Sequence, residues 1–429
     1  MKKVLFISYF WPPSGKASLH WPLDIIRHLP KDEIEPIILT VKEESFTQKD
    51  ESLLSKVDPD WITVKSNALE PFNIYRKFIG KKKNEKLIAS ETISTENKSL
   101  AHKISLWIRL NLFIPDARIG WNFTAYRAAK KFYVKEKFDI IVSIGPPHSS
   151  HLIGLKLSKK LNLPHIPVLI DPWVDIVYYK NLKRSCITKK IDNHLEKSVL
   201  LNAEQVVFVT KSSEDDYLNK YEFLKNKTNV LYWGFDEDDF KNLPLNYRSA
   251  ESIINKSEKV IVHAGNLFVY QNPKNFWQQI KSQNDSGSNY KIKFIGTVDP
   301  IVLDYLKEIG LQDKVETLGF LPYPQMIKQI FAADILLVCA SEPRHVPGKL
   351  FEALRTGNPV IAFGDDNSEV KRIIESANSG MMFSYNDSCT SFFENFEKIK
   401  PDLTLIKSFD RALISKKFFE IIKNLLHKG

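Results

Sequence analysis

Residues 345–362 read HVPGKLFEALRTGNPVIA, and this stretch predicts an amphipathic helix followed at once by a buried strand. Leu350, Phe351 and Leu354 recur at spacings of three and four residues, which places them on one apolar face of a helix. The residues PVIA (359–362) begin a short apolar run that is typical of a strand inside a parallel sheet. A helix that leads into a buried strand indicates an α/β fold.

The start of this helix has two interpretations. Pro347 suits the first helical position, where a missing N–H costs nothing, and Gly357 suits the position after the last turn. Gly348 and Lys349 are unexpected there, because glycine weakens a helix by about 1 kcal/mol relative to alanine. Either the helix is loosely capped beside a solvated lysine, or its free N–H groups, its dipole and Lys349 form an anion site.

Short apolar runs alternate with amphipathic helices along nearly the whole chain, and the pattern restarts after NVLYWGFD (229–236). Continuous apolar strands that alternate with helices are typical of parallel sheets covered on both faces. Two such series predict an α/β protein with two doubly wound, Rossmann-like parallel-sheet domains facing across a cleft. The predicted strands are KVLFIS (3–8), PIILTV (36–41), DIIVSI (139–144), PVLID (167–171), QVVFVT (205–210), KVIVHAG (259–265), KIKFIG (291–296), VETLGF (315–320), DILLVCA (334–340) and PVIAFG (359–364).

The same alternation sets the predicted domain limits. Residues 1–235 form the first domain, and residues 236–405 form the second. Residues 42–100 interrupt the alternation with polar segments such as KKKNEK and ETISTENKS, and we interpret them as a variable insertion in the first domain.

Composition points to a globular protein of a reducing compartment. The chain has 429 residues, of which 43% are hydrophobic, so it is long and apolar enough for two or three domains. Cys186, Cys339 and Cys389 are scattered and lack metal-ligand spacing, as expected of a cytoplasmic protein. The N-terminal apolar run is too short for a signal peptide and predicts a first strand instead. No stretch approaches the roughly 18–20 apolar residues of a membrane span.

The positive charge is concentrated in the first half of the chain. The net charge is +10, and residues 1–200 hold 33 Lys and Arg against 21 Asp and Glu. Basic residues interleave with apolar ones in YRKFIGKKKNEK (75–86) and KNLKRSCITKK (180–190). This pattern suits an anionic membrane surface or an anionic acceptor, is compatible with nucleic acid, and fits a plain solvated face equally well.

Ligands of open α/β sheets bind at the carboxyl ends of the strands, so the loops after the strands are the candidate sites. None of these loops is a Walker A loop or a complete G-x-G-x-x-G fingerprint, which argues against a nucleotide hydrolase and against a nicotinamide dehydrogenase. The candidate loops are WPPSGKASLH, IGPPHSSH, LIDPW, HAGNLF and CASEPRHVPGK.

Six motifs, taken in order, resemble the GT-B-fold retaining glycosyltransferases of the family-4-like group, particularly those of bacterial surface-polysaccharide synthesis. Each motif is weak alone, but their order and spacing across almost the whole chain are fairly specific. The motifs are FWPPSGKAS (10–18), GPPHSSHLIG (145–154), LIDPW (169–173), NVLYWGFDEDDF (229–240), VHAGNLF (262–268) and VPGKLFEALRTGNPVIA (346–362). The resemblance also implies that residues 406–429 form a C-terminal helix that crosses back to the first domain.

In this family a nucleotide-diphosphate sugar is held mainly by the second domain, and the resemblance carries that role to residues of this chain. A helix glutamate binds the ribose hydroxyls, and Glu352 matches it. Gly348 then lets the backbone approach the diphosphate, and Lys349 supplies the counter-charge. The family's phosphate loop matches Gly265 and Asn266, and its base contacts match Leu321 and Tyr323.

The chain departs from the family at two places in the second domain. Asn266 stands where many relatives carry an arginine, so Lys349 and Arg344 or Lys16 must supply the phosphate charge. Many relatives have a second glutamate eight residues before the first, whereas Glu342 lies ten residues before Glu352. The sugar contact therefore passes to Glu342 or to the backbone of His345, Val346 and Pro347.

In the first domain the resemblance implies a further donor contact and the catalytic groups. Gly15 approaches a donor phosphate with Lys16 beside it. Asp171 stands where relatives place a catalytic-site histidine or acid, and a turn-capping role is the alternative. His148 is the second predicted catalytic residue; together with His151 it faces the acceptor or the sugar, or else belongs to the helix structurally.

The sequence thus predicts a metal-independent glycosyltransferase that transfers a sugar, with retention, to a glycan or lipid-linked glycan in cell-surface polysaccharide synthesis. The protein is expected to be cytoplasmic and peripheral on the anionic inner membrane, with Arg76, Lys77 and Lys81–Lys83 at the contact and no nucleic-acid partner. The alternatives are a nucleotide-sugar epimerase of the same fold and a non-catalytic protein that binds nucleotide sugar or nucleic acid.

Overall fold

The chain folds into two compact units. In the computed structural model, residues 1–69, 100–175, 184–243, 256–341, 343, 345–395 and 398–427 are described. The first unit comprises Met1–Leu231 and Ser415–Gly429, and the second comprises Tyr232–Ile414. The division between Leu231 and Tyr232 lies within the NVLYWGFD segment, slightly before the position expected from the sequence.

The first unit is a parallel sheet with helices packed on it. Its strands, as far as the chain is described, are β1 (Lys2–Ile7), β2 (Ile34–Val41), β3 (Ile62–Ser66), β4 (Ile140–Gly145), β5 (His165–Leu169), β6 (Val206–Phe208) and β7 (Thr228–Val230). Its described α-helices before the C-terminal segment are α1 (His20–Arg27), α2 (Leu100–Leu112), α3 (Trp121–Lys135), α4 (Ser149–Leu161), α5 (Cys186–Leu201) and α6 (Lys211–Lys220).

The sheet of the first unit has the strand order β3-β2-β1-β4-β5-β6-β7, and every pairing is parallel. Both faces of its central strands are buried, which is why those strands read as continuous apolar runs. On one face, Leu5 and Ile7 pack with Trp121 and Ala125 of α3 and with Ile153 of α4. The strand order reverses between β1 and β4, so the loops after these two strands border the crevice of the sheet.

The second unit repeats this architecture. Its described strands are β8 (Lys259–Ala264), β9 (Tyr290–Ile295), β10 (Val315–Gly319), β11 (Ile335–Cys339), β12 (Val360–Phe363) and β13 (Gly380–Phe383). Its described helices are α7 (Lys274–Asp285), α8 (Pro300–Glu308), α9 (Tyr323–Ala332), α10 (Gly348–Thr356), α11 (Ser368–Ser376), α12 (Thr390–Asn395) and α13 (Leu403–Lys407).

The second sheet is also parallel, with the order β10-β9-β8-β11-β12-β13. Two hydrophobic clusters cover its two faces. One contains Leu350 and Leu354 of α10 with Ile327 of α9, and the other contains Trp277 of α7 with Leu306 of α8. The order reverses between β8 and β11, which places the crevice of this sheet beside the loop that leads into α10.

A last helix, α14 (Arg411–Leu426), follows α13, and its residues from Ser415 onward belong to the first unit. The Ser415 hydroxyl donates to the carbonyl oxygen of Ile25 at 2.7 Å. The Phe418 ring packs edge-on against Trp21 at 6.2 Å between ring centroids. The C-terminal segment is thus attached to α1 of the first unit.

The interpretation of residues 42–100 as an insertion is wrong for part of that range. Ile62–Ser66 forms β3, which pairs in parallel with β2 from Ile37 to Val41 and belongs to the main sheet. This strand was missed because it lies at the sheet edge, where its side chains are only partly buried and no continuous apolar run is needed. Residues 70–99 lie outside the described part of the chain.

Two predicted boundaries also shift. Strand β5 ends at Leu169, so Asp171 lies in the loop that follows rather than in the strand. Helix α10 begins at Gly348, and Pro347 is its N-cap residue, with an extended ψ of 128° instead of a helical one. Proline fits both positions because only its φ is fixed, so the sequence did not distinguish them.

Candidate functional site

Helix α10 of the second unit is firmly held, which gives the side chains at its start a fixed geometry. Leu350, Phe351 and Leu354 are fully buried, and each contributes about 1.5–3 kcal/mol through burial. Near the C-terminal end, the Arg355 guanidinium donates to both carboxylate oxygens of Glu237. Gly357 ends the helix in the left-handed conformation, with φ of 72°, as its sequence position predicted.

The first residue of α10 lies directly beneath an indole ring. A Cβ atom on Gly348 would come within 2.6 Å of Trp233 Nε1 and 2.8 Å of its Cδ1 atom. The backbone that carries this ring is held in turn by Arg411, a buried residue that donates to the carbonyl oxygens of Trp233 and Gly234 at 3.0 Å. The glycine is therefore required for contact with Trp233, a reason that the sequence did not reveal.

Glu352 is the most unusual group of this helix. Its side chain is only 2% exposed, and its Oε1 atom accepts a hydrogen bond from the Tyr323 hydroxyl at 2.9 Å. The Lys349 ammonium lies 3.5 Å from the same oxygen and 4.7 Å from the centroid of the Tyr323 ring. The Oε2 atom has no hydrogen-bond partner among the described residues. Because a buried acceptor without a partner costs free energy, this oxygen is prepared to receive a donor from a ligand.

The loop after β8 is tied to the neighbouring loops of the same sheet edge. Asn266 is exposed, and its side-chain oxygen accepts from the Thr297 N–H at 3.3 Å after β9. Gln271 donates to the Ser341 hydroxyl at 3.1 Å after β11. Gly265 has a φ of 144°, a conformation that favours glycine. The predicted phosphate loop is thus ordered by amide side chains instead of by cations.

His263 supports this loop from below and was not singled out in the sequence. Its Nδ1 atom lies 3.0 Å from the carbonyl oxygen of Leu337, so the ring joins β8 to β11. Burial lowers the pKa of His263, which keeps the imidazole neutral at neutral pH.

The other residues predicted for the donor site lie on the segments around α9 and α10. His345 is exposed, Val346 is buried, and Pro347 and Leu321 are half-buried. The Asn367 side-chain amide donates to the carbonyl oxygen of His345 at 3.0 Å, which fixes the segment before α10. Glu342 and Arg344 lie outside the described residues, and their predicted roles stay predictions.

In the first unit, the loop after β1 carries Gly15 and Lys16. Gly15 donates its N–H to the carbonyl oxygen of Gln48 at 2.9 Å. Lys16 is half-buried; burial lowers its pKa, and the positive charge of Arg118 lowers it further. The Arg118 guanidinium also lies 5.1 Å above the Tyr9 ring. Two cationic side chains thus lie near the end of β1.

His148 and His151 lie in the interior of the first unit. They are 6% and 0% exposed, and the His148 ring stacks on Trp173 with 5.3 Å between centroids. Ser143 Oγ lies 2.8 Å from His151 Nδ1 and 2.7 Å from His165 Nε2. Burial lowers the pKa of His148 and of His165 to about 3, and that of His151 well below its usual range. The three imidazoles are therefore neutral at neutral pH.

Asp171 is half-buried in the loop after β5, and the same loop is anchored two residues later. The Trp173 indole N–H donates to Asp192 at 2.7 Å, and the Trp173 backbone N–H donates to the Tyr217 hydroxyl at 2.8 Å. The Tyr217 hydroxyl donates to Glu196 at 2.8 Å. Asp192 and Glu196 are one turn apart on α5, so this helix holds the segment that carries Asp171.

Two contacts at the start of α10 could not be read from the chain. Tyr323 was assigned to the nucleobase, but its hydroxyl bonds Glu352, which is 29 positions away. Trp233 lies in the segment between the two predicted domains, and no feature of the sequence there indicates that its ring covers Gly348. Hydrophobic periodicity reports contacts within one helix or strand and does not report contacts between elements. The only available signal for these two contacts was the predicted strand order, which brings α9 and α10 together.

The predicted membrane contact at Arg76, Lys77 and Lys81–Lys83 lies outside the described residues. Among the helices that the structure describes, none combines the length and apolar character needed to span a bilayer.

Comparison with known proteins finds similarity to glycosyltransferases. Residues 248–404 match the family model described as glycosyl transferases group 1, a range that contains both Tyr323 and Glu352. The probable glycosyltransferase WbjE of Pseudomonas aeruginosa is 22% identical over 251 residues, which are 56% of this chain and 61% of that protein. The chain thus spans less than two thirds of the length of this curated relative.

Solved structures share the fold of the whole chain. The sucrose-phosphate synthase of Thermosynechococcus elongatus superposes with a TM-score of 0.64 at 13% identity, covering 100% of both chains. Anabaena HepE in complex with UDP and glucose gives a TM-score of 0.57 at 15% identity, covering 99% of this chain and 100% of its own. The chain therefore has the two Rossmann-like units of the GT-B fold, and its resemblance to the GT-B glycosyltransferases is supported by the match of residues 248–404 to the glycosyl transferases group 1 model.

Proposed function

We propose that the chain is a glycosyltransferase whose donor, a nucleotide-diphosphate sugar, binds at the start of α10. The observation that carries the proposal is the buried Glu352 carboxylate, which has an oxygen without a described partner and lies 3.5 Å from the Lys349 ammonium. A carboxylate accepts hydrogen bonds from ribose hydroxyls, and an ammonium attracts a diphosphate. The two groups, three residues apart on one helix, match the two halves of a nucleoside diphosphate.

The chemistry needs stabilisation of a leaving group more than it needs a strong base. Transfer breaks the bond between the anomeric carbon and the diphosphate oxygen and forms a bond to the acceptor oxygen. With retention, the acceptor proton passes to the departing diphosphate on the same face of the sugar. Lys349 and the N–H groups at the start of α10 stabilise the charge that develops there. These groups take the place of a metal ion, so chelators are expected to leave the rate unchanged.

UDP is the first nucleotide to try as a probe. One structure of Anabaena HepE holds UDP and glucose, and another holds UDP-glucose. The identity between that protein and this chain is about 15%, so the nucleobase is a proposal that rests on a shared fold. The predicted base contacts, Leu321 and Tyr323, both lie in the segment that follows β10.

Asp171 is the proposed catalytic group of the first unit, and neutral His148 is the proposed contact for the sugar or the acceptor. The loop of Asp171 is anchored on α5 through Trp173, two residues later, which holds the backbone of this segment in place. We expect Asp171→Asn to lower the transfer rate about 100-fold, the usual effect of losing a charge-stabilising group, and to leave nucleotide affinity unchanged. Asp175→Asn, an exposed carboxylate four residues later, is the matched control. Equal rates for both variants would remove Asp171 from the mechanism.

The proposed acceptor is a glycan or lipid-linked glycan of a cell-surface polysaccharide, reached at the anionic inner face of the membrane. The support is the excess of basic residues before position 201. Each basic residue near an anionic surface contributes about 1 kcal/mol, so a few suffice for reversible attachment. Flotation with anionic and with neutral liposomes at low salt tests this. Equal recovery from both would argue for an acceptor in solution.

The donor is tested by unfolding the protein thermally with UDP-, GDP-, ADP-, dTDP- and CMP-sugars. A ligand at 100 times its dissociation constant adds about 2.7 kcal/mol to the free energy of unfolding, which raises the melting temperature. The stabilising donor is then incubated with glycan acceptors, and NMR of the product reports the anomeric configuration. If no sugar nucleotide stabilises the protein, if polynucleotide alone does, or if the sugar is epimerised and not transferred, the proposed function is wrong.

A further inference from the structure

The contacts of Tyr323 join two groups that the proposed function uses separately. Its hydroxyl donates to Glu352 Oε1 at 2.9 Å, while the face of its ring lies under the Lys349 ammonium at 4.7 Å from the centroid. Tyr323 is the first residue of α9 and is half-buried, and these two contacts restrain both its hydroxyl and its ring. One side chain thus touches the carboxylate with its edge and the cation with its face.

These contacts determine which oxygen of Glu352 is available. The terminal torsion of a glutamate side chain is soft, so an unrestrained carboxylate samples many orientations. The Tyr323 hydroxyl occupies Oε1 and leaves Oε2 as the atom without a described partner. A fixed acceptor binds a ligand hydroxyl more strongly than a rotating one, because its ordering is complete before the ligand arrives.

The ring of Tyr323 also keeps the lysine from collapsing onto the carboxylate. At 3.5 Å, the separation between Lys349 Nζ and Glu352 Oε1 is longer than a charge-assisted hydrogen bond of about 2.7–2.9 Å. The attraction of the ring for the ammonium holds the cation above the ring face. The lysine therefore remains available to a phosphate instead of being consumed by Glu352.

We propose that Tyr323 is a positioning residue that orients Glu352 so that Oε2 receives the ribose hydroxyls of the donor. The inference rests on the proposed function, in which Glu352 binds ribose. It assigns the Tyr323 hydroxyl to the carboxylate and not to the nucleobase, and it makes the preference for a ribose with free hydroxyls depend on this tyrosine.

The test measures affinities of the parent and of Tyr323→Phe by calorimetry, using UDP, GDP and ADP with their 2′,3′-dideoxy counterparts. The phenylalanine retains the ring under Lys349 and removes only the hydroxyl. We expect the parent to prefer the ribonucleotide, and Tyr323→Phe to reduce that preference about tenfold. The affinity for the dideoxy nucleotide should change less than about twofold, because that ligand makes no hydroxyl contact with Glu352.

Tyr305→Phe is the matched control, because Tyr305 of α8 also lies under a lysine, with Lys274 Nζ 4.9 Å from the ring centroid. The Tyr305→Phe variant should prefer the ribonucleotide over the dideoxy nucleotide as strongly as the parent does. If Tyr323→Phe keeps the full preference, or weakens both ligands equally, the positioning role is wrong while the proposed function stands. If the parent binds the ribonucleotides without preferring them, the ribose role of Glu352 fails and this inference fails with it. If the parent binds no nucleoside diphosphate, the proposed function itself is wrong.

Discussion

The two units have the same order in their first six strands and the same point of reversal, yet the side chains at the two crevices differ in kind. At the first crevice, beside β4, the residues are neutral imidazoles packed on Trp173 and joined through Ser143. At the second, beside β11, they are the Glu352 carboxylate and the Lys349 ammonium. Strand order places a site at the end of a sheet, and side chains decide which ligand it suits.

Both crevices contain buried polar atoms without a described hydrogen-bond partner, but these atoms differ in charge. In the first unit they include ring nitrogens of the neutral His148 and His151, and in the second unit they include Oε2 of the Glu352 carboxylate. In the first unit, α5 and α6 supply hydrogen-bond partners to the loop that carries Trp173 and Asp171. In the second unit, the core holds α10 in place. We infer that the imidazole cluster beside β4 is a rigid, neutral part of the first crevice and that the start of α10 presents charge to a ligand. Three predictions test this contrast.

The largest expected effect is the loss of stability of the first unit in acid. Unfolded histidine protonates below about pH 6.5, whereas burial lowers the pKa of His148 and His165 to about 3 and that of His151 well below its usual value. The unfolded state therefore binds more protons than the folded state in this window. The contribution of these neutral histidines to stability is complete above about pH 6.5 and is lost progressively as the pH drops towards 3, by on the order of 1 kcal/mol per pH unit for each additional proton that the unfolded state binds.

Hydrogen exchange of β4 and of β11 between pH 7.5 and 5.0 measures this effect in each unit. The second unit has His263 as its one described buried histidine with a lowered pKa, so β11 should lose less protection than β4. His148→Phe keeps the stacking on Trp173 and should reduce the pH dependence. His427→Gln, an exposed control, should not. Equal losses in the two strands would contradict the contrast.

An intermediate effect is expected from Gly348→Ala. The new Cβ atom would lie 2.6 Å from Trp233 Nε1, and the ring cannot withdraw easily because Arg411 binds the backbone beneath it. Overpacking of this kind costs about 1–3 kcal/mol and displaces the start of α10. Urea unfolding and nucleotide calorimetry should both register it. A second change, Trp233→Leu, should restore part of the loss; if it does not, the indole is not the obstacle.

The smallest effect is expected from Lys349→Ala. Losing the ammonium should weaken nucleoside diphosphates about tenfold, equivalent to about 1.4 kcal/mol, and nucleosides less than twofold. The reason is that the proposed function assigns the phosphates to the lysine and the ribose to Glu352. Lys371→Ala on α11, an exposed lysine of the same unit, is the control for a general change in charge. Equal weakening of nucleosides and diphosphates would indicate damage to α10 instead.

Local patterns predicted most of the fold. The alternation of apolar strands and helices gave two parallel-sheet units, because buried strands and amphipathic helices have different periods that are visible along the chain. Strand β3 was not predicted, because an edge strand needs no continuous apolar run. The start of α10 was predicted one residue too early, at Pro347, because the fixed φ of proline suits the N-cap and the first helical position equally.

The site was less accessible to sequence reasoning, because its geometry depends on contacts between distant elements. The weak first turn of the helix pointed to Lys349, and the resemblance to the glycosyltransferase family pointed to Glu352. The hydrogen bond from Tyr323, the indole over Gly348 and the neutral histidines around Ser143 each join residues of different elements. Burial and partner identity, which set the protonation of His148 and the orientation of Glu352, follow from packing alone.

The central claim is that Glu352 binds the ribose of a nucleoside diphosphate at α10. Calorimetric titration of UDP, GDP and ADP into the parent, Glu352→Gln and Glu369→Gln tests it most directly. Glu369 is the matched control, because it is also buried and accepts from a tyrosine hydroxyl, that of Tyr232 at 3.0 Å. We predict that the parent and Glu369→Gln bind the same diphosphate and that Glu352→Gln binds it at least about tenfold more weakly. Equal affinities for the parent and Glu352→Gln would contradict the account.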